Sequence, residues 1–507
     1  MSLPLHVERL RERLGARLIE THISWVLMAG ADVYKLKKPL DLGFLDFSTL
    51  ERRRYCCEEE VRLNRRLTPE TYLGVIAVVG EPADPRLGDD GPVLDWAVHM
   101  RAFPPEATLD RAERLTAAQI DAIADTVARF HAAIEAAPAD SPYGTPERVM
   151  YPVRENFHQI REQRPPPEAP ALLEQIERWS EAEGARLDAH FHARKREGWV
   201  RECHGDLHLG NIAWVDGQPL IFDCIEFNPA LRYIDVASEV AFLTMDLTSR
   251  GYVDLAWRFL NRWLEHTGDY AGLDALVFYQ VYRAMVRAKV DFIRAGQGDA
   301  RAASAAMDYL HFAERLTRPR RPALLLMHGV TGCGKTTLSQ QILETLGAVR
   351  LRSDVERKRL FGLGPLEDSS RIPGGIYTEA ASRRTFERIE ILSRGLLGAG
   401  FRVIADATFL RRQHREPLIR AAQALGVPWF ILSLKTDATV LRERVARRAQ
   451  ARTDASEATL DVLEKQLQEL EPFAADEAAH VIVFDGNDPS TWPAAITTLT
   501  QRLESSV

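Results

Sequence analysis

Cysteine is scarce in this sequence, and its few copies form no recognisable pattern. The 507 residues include only five cysteines, and no two of them make a C-x-x-C pair. They are Cys56, Cys57, Cys203, Cys224 and Cys333. An odd, scattered set argues against a disulfide-stapled fold and against a cysteine zinc site, and it favours a reducing compartment.

Two further absences narrow the class of protein. No run approaches the roughly 18 apolar residues of a membrane-spanning helix. The N-terminal stretch MSLPLHVERLRERLG lacks the apolar core of a signal peptide. The formal net charge is only -7, which argues against a protein that coats nucleic acid, although a local basic groove is compatible with it. We therefore expect a cytoplasmic protein with no membrane partner, and the composition leaves its oligomeric state open.

The residues from Leu324 to Thr337 carry the most specific pattern in the chain. An apolar run at 323–327 predicts a buried strand, and the apolar residues of 338–346 predict a helix. Between them, the sequence matches G-x-x-x-x-G-K-[ST] at every fixed position. Strand, glycine-rich loop and helix in this order predict a P-loop, in which backbone N–H groups and the helix N-terminus bind phosphates.

This pattern predicts a nucleoside triphosphate site in the C-terminal part of the chain. Lys335 would reach the β- and γ-phosphates, and Thr336 would hold Mg²⁺. We expect ATP as the donor, although the sequence does not exclude GTP. The predicted nucleotide-binding residues are Gly329, Val330, Thr331, Gly332, Cys333, Gly334, Lys335, Thr336 and Thr337.

The N-terminal region predicts a small lobe of strands and helices. Residues 4–20 have a helical pattern. Residues 21–28 and 31–37 are typical of two strands around Gly30, and a charged helix is expected over 48–67.

A lysine and a glutamate in this lobe have the order of a kinase ion pair. Strand alternation puts Lys35 and Lys37 on one face, and Glu60 follows on the helix. In kinase-like folds, such a lysine–glutamate pair orients the ATP phosphates. We expect Lys35 to pair with Glu60, and Lys37 and Glu59 are the alternates.

A hinge is expected where the small lobe ends. Strands are predicted at 75–79 and 96–100, and Arg101-Ala102-Phe103-Pro104-Pro105 follows the second of them. The backbone near Arg101 and Phe103 could hydrogen-bond the adenine of a nucleotide, so both residues are candidates for nucleotide binding.

Residues 203–212, CHGDLHLGNI, carry the second chemical pattern. Transfer of a phosphoryl group needs a carboxylate near the acceptor hydroxyl, and Asp206 is in place for this role. Asn211 follows five residues later and can hold Mg²⁺. An apolar strand predicted at 219–222 ends in Asp223, a second carboxylate for the metal. The Asp-x-x-x-x-Asn step is the one found in protein-kinase catalytic loops.

The segment HGDLHLGN, with FDCIEF and IDVA after it, resembles the aminoglycoside phosphotransferase family. The resemblance implies a bilobal, protein-kinase-like fold. It implies that Asp206 is the catalytic base, that Asn211 and Asp223 are metal ligands, and that His204 and Asp235 brace the loop.

This resemblance covers roughly residues 20–300, but the small lobe departs from the family pattern and the roles of some residues stay open. The small lobe contains no clear G-x-G-x-x-G loop to cover the phosphates. Glu226 either supports the metal site or lies at the surface. Arg283 and Arg287, four residues apart on a predicted helix, either face an anionic substrate or form part of a solvated or salt-bridged face.

The residues after the P-loop predict a parallel sheet. Short apolar strands are expected at 349–351, 401–405 and 429–434, alternating with helices. Ligands of such sheets bind at the carboxyl ends of the strands. Asp354 and Asp406 both follow strands, so one of them should polarise an acceptor hydroxyl and the other the water shell of Mg²⁺.

This half resembles small P-loop kinases, including polynucleotide 5'-kinases and zeta-toxin-like kinases. The resemblance implies that Asp354 is the base, accompanied by Arg357, and leaves Asp406 for the metal. It also implies that the helix over 438–450 is a lid, from which one or two arginines contact the transferring phosphate; we favour Arg444 and Arg448. The arginines of this helix are Arg442, Arg444, Arg447 and Arg448.

Taken together, the patterns predict a multidomain α+β and α/β protein. A bilobal protein-kinase-like domain is expected over 1–316, with a small lobe of about 1–103 and a large lobe of about 104–316. After a linker at 317–322, a P-loop NTPase domain with a parallel sheet is expected over 323–507.

We expect a bifunctional, ATP- and Mg²⁺-dependent phosphotransferase. Its first domain would phosphorylate a hydroxyl of a sugar, an amino sugar or a similar small molecule, and its P-loop domain a second acceptor, with nucleic acid a candidate only there. Two alternatives stay open. One is a single kinase regulated by a P-loop ATPase switch, and the other is a nucleic-acid 5'-hydroxyl kinase with an accessory kinase-like domain.

Overall fold

The computed structural model describes residues 3–41, 43, 45–451 and 455–505. The chain divides into two compact units. Unit 1 comprises Met1–Ser249 and Ala275–Leu316, and unit 2 comprises Arg250–Asp274 and Thr317–Val507. Among the described residues, no helix is long and apolar enough to cross a membrane.

The small lobe of unit 1 is built on a six-stranded antiparallel sheet in the order β1-β2-β3-β6-β4-β5. Its strands are β1 (Arg17–Glu20), β2 (Ser24–Ala29), β3 (Asp32–Lys37), β4 (Tyr72–Glu81), β5 (Asp84–Leu87) and β6 (Val93–Arg101), and its helices are α1 (Leu5–Leu14) and α2 (Leu50–Asn64). The strands expected around Gly30, which has a φ of 64°, are therefore confirmed, and so is the charged helix.

The prediction of one helix over 4–20 is wrong in its second half. α1 ends at Leu14 because Gly15 adopts a left-handed φ of 58°, and its N–H caps the last carbonyls of the helix. The chain then turns into β1, whose residues pair with β2. The apolar spacing alone did not mark this glycine as a helix stop.

The rest of unit 1 is largely helical. Its elements are α3 (Ala117–Ala133), α4 (Pro146–Glu162), α5 (Ala169–Arg186), α6 (Asp188–Arg196), β7 (Val200–Glu202), β8 (Ile212–Val215), β9 (Gln218–Ile221), α7 (Pro229–Arg232), β10 (Tyr233–Asp235), α8 (Val236–Ser249), α10 (Leu276–Gly296) and α11 (Ala302–Leu316). β8 and β9 form a hairpin that carries the loop of Asp206 on one side and Asp223 on the other. α3 begins with a reciprocal capping box formed by Thr116 and Gln119.

Unit 2 contains a five-stranded sheet whose neighbours are all parallel, in the order β12-β13-β11-β14-β15. The strands are β11 (Ala323–His328), β12 (Ala348–Arg352), β13 (Arg402–Asp406), β14 (Trp429–Lys435) and β15 (Val481–Asp485). The strand order reverses on either side of β11, so the crevice at its carboxyl end is where ligands bind in such sheets. The P-loop begins at that end.

The helices of unit 2 are α9 (Val253–Thr267), α12 (Lys335–Leu346), α13 (Ser353–Leu360), α14 (Glu379–Gly398), α15 (Arg412–Ala424), α16 (Ala438–Ala451), α17 (Leu460–Gln468), α18 (Ala475–Ala478) and α19 (Trp492–Ser505). The sequence predicted four of the strands and the helices α12 and α16. It did not predict α14, α15 or the edge strand β15.

α9 lies in a different unit from the one expected. The predicted large lobe ran through 104–316, whereas Arg250–Asp274 belongs to unit 2. Trp257 of α9 packs against the apolar core under the P-loop, and its ring meets Phe401 edge-on at 6.4 Å. Helical periodicity indicates that α9 has an apolar face, but it does not indicate which core covers that face.

Candidate active sites

A buried ion pair in unit 1 joins β3 to α2. Lys35 Nζ donates to Glu60 Oε1 at 2.8 Å and lies 2.5 Å from Asp223 Oδ1. Burial alone would lower the pKa of Lys35, but Asp223 and Glu60 raise it well above its ordinary value. The expected Lys35–Glu60 pair is therefore present, and it reaches the aspartate that follows β9.

The alternate lysine has a different set of partners. Lys37 is fully buried and makes ion pairs with Glu60 and Glu226. Glu59, by contrast, binds Arg62 at 2.8 Å and Arg232 at 3.1 Å. Glu60 therefore serves both lysines, and Glu59 serves neither.

In the structure, the last residue of the Asp-x-x-x-x-Asn motif hydrogen-bonds the first. Asn211 Nδ2 donates to Asp206 Oδ2 at 3.0 Å and to the Asp206 carbonyl at 2.9 Å. His208 Nε2 lies 3.4 Å from the same carboxylate oxygen. Burial alone would raise the pKa of Asp206, but His208 and His204 outweigh it and hold this pKa below its ordinary value. The carboxylate of Asp206 is thus ionised.

Buried side chains hold the loop that carries Asp206. The Gly205 N–H donates to Glu239 Oε1 at 2.8 Å, and the other oxygen of Glu239 meets His131 Nε2 at 2.8 Å. Arg283 Nη1 donates to the Gly205 carbonyl at 3.0 Å, so this arginine braces the loop instead of lining a substrate face. His204 Nε2 lies 2.8 Å from the Phe222 carbonyl.

Asp235, the other expected brace, contacts α6 and α8. Its two oxygens accept from Arg194 at 2.7 and 2.8 Å, and both side chains are buried. The same carboxylate accepts from the N–H of Ala237, at the start of α8. The family resemblance implied a bracing role for Asp235, but no sequence pattern pointed to Arg194.

Asp223 is held in an uncommon backbone conformation. Its φ is 66°, a left-handed conformation that costs an aspartate conformational free energy. Residues held in such conformations are often found at functional sites. Its N–H donates to the hydroxyl of Tyr72 at 3.1 Å. Tyr72, on β4, was not expected at this site, because a single strand tyrosine carries no sequence signal of its own.

The two residues expected at the hinge, Arg101 and Phe103, differ in their contacts. The N–H of Arg101 donates to the Thr71 carbonyl at 2.8 Å, and the side chain is exposed. This amide is therefore engaged in the lobe and is not free for a base. Phe103 does lie near the site, with its ring centroid 5.0 Å from that of Phe222, the residue before Asp223.

The P-loop of unit 2 wraps the N-terminus of α12. Gly329, Gly332 and Gly334 have φ values of 141°, 82° and 104°, which only glycine adopts without strain. A Cβ on Gly329 would lie 2.8 Å from Cys333 Sγ. Lys335 Nζ donates to the carbonyls of Gly329 and Val330, both at 2.9 Å, so its ammonium group lies within the loop.

Carboxylate and hydroxyl oxygens lie next to the P-loop. Asp406 is buried at the end of β13, and one of its oxygens accepts from Ser339 Oγ at 3.0 Å. Ser339 Oγ also lies 3.1 Å from the Thr336 carbonyl. The two expected metal ligands, Thr336 and Asp406, are thus linked through Ser339, which sequence analysis missed.

The second expected carboxylate, Asp354, lies in the first turn of α13. Arg357 Nη1 donates to Asp354 Oδ1 at 3.0 Å, and the Arg357 guanidinium stacks 4.8 Å from the ring centroid of Tyr377. Burial raises the pKa of Tyr377 to about 12, and Asp354 adds to this effect. The aspartate–arginine pair therefore has an aromatic neighbour that stays protonated.

The lid arginines differ in what they contact. Arg448 Nη2 donates to Thr331 Oγ1 of the P-loop at 2.9 Å. Arg442 pairs instead with Glu464 at 2.7 Å on the surface, and Arg447 is exposed. Arg444 lines the same cavity as the P-loop.

A cavity of about 1070 Å³ joins the parts of the unit 2 site. Its walls include Lys335, Thr336, Asp354, Arg357, Asp406, Arg444 and Arg448. Gln466, which was not expected here, also lines it and accepts from the Thr331 N–H at 2.7 Å. A cavity of this size accommodates a nucleotide together with a small acceptor.

Two family models match the chain, one in each half. A model described as the phosphotransferase enzyme family matches residues 57–276, and a model described as an AAA domain matches residues 324–473. Uncharacterized proteins of Mycobacterium tuberculosis and Mycobacterium bovis are each 32% identical over 448 residues, which is 86% of this chain and 87% of the relative.

Solved kinase structures are similar to part of the chain. A gluconokinase from Sinorhizobium meliloti is 20% identical with a TM-score of 0.27, covering 36% of this chain and 97% of its own. A putative kinase from Chloroflexus aurantiacus is 21% identical with a TM-score of 0.31, covering 37% of this chain and 99% of its own.

Proposed function

This chain belongs to the family of its mycobacterial relatives and joins a phosphotransferase-family domain to an AAA domain, and we propose that it has two separate phosphoryl-transfer sites. The chain is an ATP-dependent kinase. One observation carries the proposal for unit 1, namely that the Lys35 ion pair reaches Asp223, whose neighbour Phe222 donates its N–H to the carbonyl of Asn211. The residues that converge are Lys35, Glu60, Asp206, Asn211 and Asp223.

The chemistry at unit 1 is transfer of the γ-phosphoryl group of ATP to an alcohol. The acceptor oxygen attacks the γ-phosphorus, the bond to the ADP oxygen breaks, and Asp206 takes the hydroxyl proton. Lys35, fixed by Glu60, binds phosphate oxygens. Since little covalent chemistry is needed, positioning and charge neutralisation supply most of the rate.

The donor set in unit 1 fits Mg²⁺. Asn211 uses its amide nitrogen on Asp206, which leaves the amide oxygen for a hard cation. Asp223 supplies carboxylate oxygens from the opposite loop. When bound, Mg²⁺ would neutralise charge on the phosphates. We propose a sugar, an amino sugar or a similar small polyol as the acceptor.

At unit 2 we propose a second transfer, with Asp354 as the base and Lys335 and the P-loop as the phosphate site. Thr336 and Asp406 offer the oxygen donors that Mg²⁺ prefers. Arg444 and Arg448 would stabilise charge on the transferring group, and Arg448 already contacts the P-loop. The acceptor here is a second hydroxyl compound, and a 5'-hydroxyl of nucleic acid is one candidate.

The test follows γ-labelled phosphate from ATP in the full-length protein with Mg²⁺. Asp206→Asn and Lys335→Ala each disable one site, and pooled small metabolites and 5'-hydroxyl oligonucleotides are supplied as acceptors. The matched controls are Asp216→Asn, an exposed aspartate of the β8–β9 turn, and Lys435→Ala, an exposed lysine at the end of β14.

If the chain contains two independent kinases, each active-site variant should lose a different labelled product, with a fall in the rate of labelling of about 10³-fold or more. Both controls keep both products. Loss of the same product in both variants would support the regulated single kinase instead. Label that appears only as free phosphate with every acceptor pool would refute kinase action at both sites.

A further inference from the structure

A side chain of α9 hydrogen-bonds the backbone at one edge of the unit 2 sheet. β12 is an edge strand, and its outer backbone groups need partners. The amide of Asn261 supplies them, since Nδ2 donates to the Ala348 carbonyl at 2.9 Å and Oδ1 accepts from the Arg350 N–H at 2.7 Å. One asparagine thus takes the place of a neighbouring strand at the midpoint of β12.

One turn further along α9, Glu265 continues this contact towards the P-loop. Glu265 Oε1 accepts from Arg350 Nη2 at 2.7 Å. The other terminal nitrogen of Arg350 donates to the Thr336 carbonyl and to Ser339 Oγ, both at 3.2 Å. Ser339 in turn donates to Asp406 at 3.0 Å. An unbroken chain of hydrogen bonds therefore runs from α9 to the two proposed metal ligands.

The side chains that form this series of hydrogen bonds are buried. Glu265, Arg350, Ser339 and Asp406 are each no more than 6% exposed. A buried arginine between a carboxylate and a backbone carbonyl has little freedom to move, because losing the carboxylate would leave its charge unpaired and losing the carbonyl would leave a buried N–H without an acceptor. Arg350 therefore holds the first turn of α12 in one position only while Glu265 holds Arg350.

The segment after α9 also contacts α13, the helix of Asp354. Tyr270 donates to Glu356 Oε1 at 3.1 Å, and Glu356 pairs with Arg359 and Arg388. Arg359 Nη2 donates to the Glu265 carbonyl at 2.7 Å. The same short segment therefore contacts the elements that carry Thr336 and Asp354.

We propose that Glu265 is a positioning residue of the P-loop site, which sets the Mg²⁺-binding geometry of Thr336 and Asp406 through Arg350 and Ser339. The proposal rests on the proposed function of unit 2. It gives a role in P-loop chemistry to a residue that lies within the sequence range of the phosphotransferase-family match, 57–276. Glu265 itself is not among the residues that line the cavity of the unit 2 site.

The experiment measures ATP and ADP binding to the full chain by titration calorimetry, with Mg²⁺ and with EDTA. All proteins carry Asp206→Asn and Asp223→Asn to weaken metal-nucleotide binding at unit 1, and the binding that Lys335→Ala removes is assigned to the P-loop. Residues that orient metal ligands typically contribute about 10- to 100-fold in metal affinity. Glu265→Gln and Ser339→Ala should therefore reduce the Mg²⁺-dependent gain in ATP affinity by about tenfold or more, with metal-free ADP binding unchanged.

The matched control is Glu344→Gln. Glu344 pairs with Arg258 at 2.8 Å, so it also joins α9 to α12, but that pair is partly exposed and does not lead to Asp406. It should leave the Mg²⁺ dependence unchanged. Glu265→Asp keeps the charge on a side chain shorter by one methylene group and should give an intermediate loss of the Mg²⁺-dependent gain in ATP affinity. If Glu265→Gln does not fold, this variant tests the positioning role in its place.

The outcomes separate the two proposals. If Lys335→Ala removes no ATP binding, the proposed function of unit 2 fails. If Lys335→Ala removes it but both Glu265 variants keep full Mg²⁺ dependence, only the positioning role of Glu265 is overturned. An equal loss of metal-free ADP binding, or an equal loss in Glu344→Gln, would indicate a merely structural role and would overturn it as well.

Discussion

At the scale of single residues, the centre of unit 1 contains one more lysine than phosphate binding needs. Lys37 is fully buried, and it joins Glu60 on α2 to Glu226, three residues after Asp223. Burial alone would lower the pKa of Lys37, but Glu226 and Glu60 raise it, so the side chain stays charged. Lys37 therefore fastens the loop of Glu226 to the small lobe, while Lys35 is the lysine that we propose to bind phosphate.

This division predicts different losses for the two lysines. Lys35→Met should abolish transfer at unit 1 with a small change in melting temperature, because Lys37 still neutralises Glu60. Lys37→Met leaves Glu226 buried without its cation and should cost roughly 3–5 kcal/mol of stability. Calorimetric unfolding and the labelled-phosphate assay measure the two effects.

A double variant checks the cause of the Lys37 effect. Lys37→Met with Glu226→Gln removes both charges and should recover much of the lost stability. If the double variant is no more stable than Lys37→Met alone, an unpaired Glu226 is not the reason for the loss.

The sequence predicted this centre in outline but not its second ion pair. Strand alternation placed Lys35 and Lys37 on one face and so could not choose between them. Glu226 was left as either a support or a surface acid, because its burial depends on α2 and β3 lying over it. Asp206, Asn211 and Asp223 were easier to name as candidates, since their spacing follows directly from the chemistry, and their roles stay predictions.

At the scale of secondary structure elements, α9 had the least predictable position. Its periodicity predicts a helix with an apolar face, and so does that of α10, which lies in unit 1. What assigns α9 to unit 2 is tertiary: the open edge of β12 and the cation of Arg350 meet Asn261 and Glu265. No local pattern carries that information.

The carboxylate of Glu265 gives α9 a pH-dependent contribution to stability. Burial alone would raise the pKa of Glu265, but Arg350 and Arg352 lower it from 4.5 to about 2. A lowered folded-state pKa stabilises the protein above the unfolded-state pKa, and the gain is lost as the pH falls through the folded-state pKa. The shift corresponds to roughly 3 kcal/mol.

The stability difference between wild type and Glu265→Gln should therefore be constant at neutral pH and shrink below about pH 4.5. Denaturant titrations from pH 7 down to the lowest pH at which both proteins stay folded measure it. Titrations of the other carboxylates occur in both proteins and cancel. A difference that stays constant or grows on acidification would contradict the ion pair with Arg350.

At the scale of the whole molecule, the chain connects its two units more than once. It passes from unit 1 to unit 2 after Ser249, returns after Asp274 and crosses again after Leu316. A single linker at 317–322, as the sequence indicated, would have let the P-loop unit be cut away intact. With α9 encoded in the middle of the other unit, residues 317–507 lack part of their own fold.

A truncated protein tests this directly. Residues 317–507 alone would lose the hydrogen bonds of β12 and Arg350 to Asn261 and Glu265, each worth about 0.5–1.5 kcal/mol net, and would expose the apolar surface that Trp257 covers. We expect this fragment to melt below the P-loop transition of the full chain, and a peptide of residues 250–274 to raise its melting temperature when added in trans. The same peptide with Asn261→Ala and Glu265→Gln should give a much smaller rise at equal concentration. If the fragment is as stable as the full chain, or if both peptides act equally, the contacts of Asn261 and Glu265 do not hold α9 on the P-loop unit.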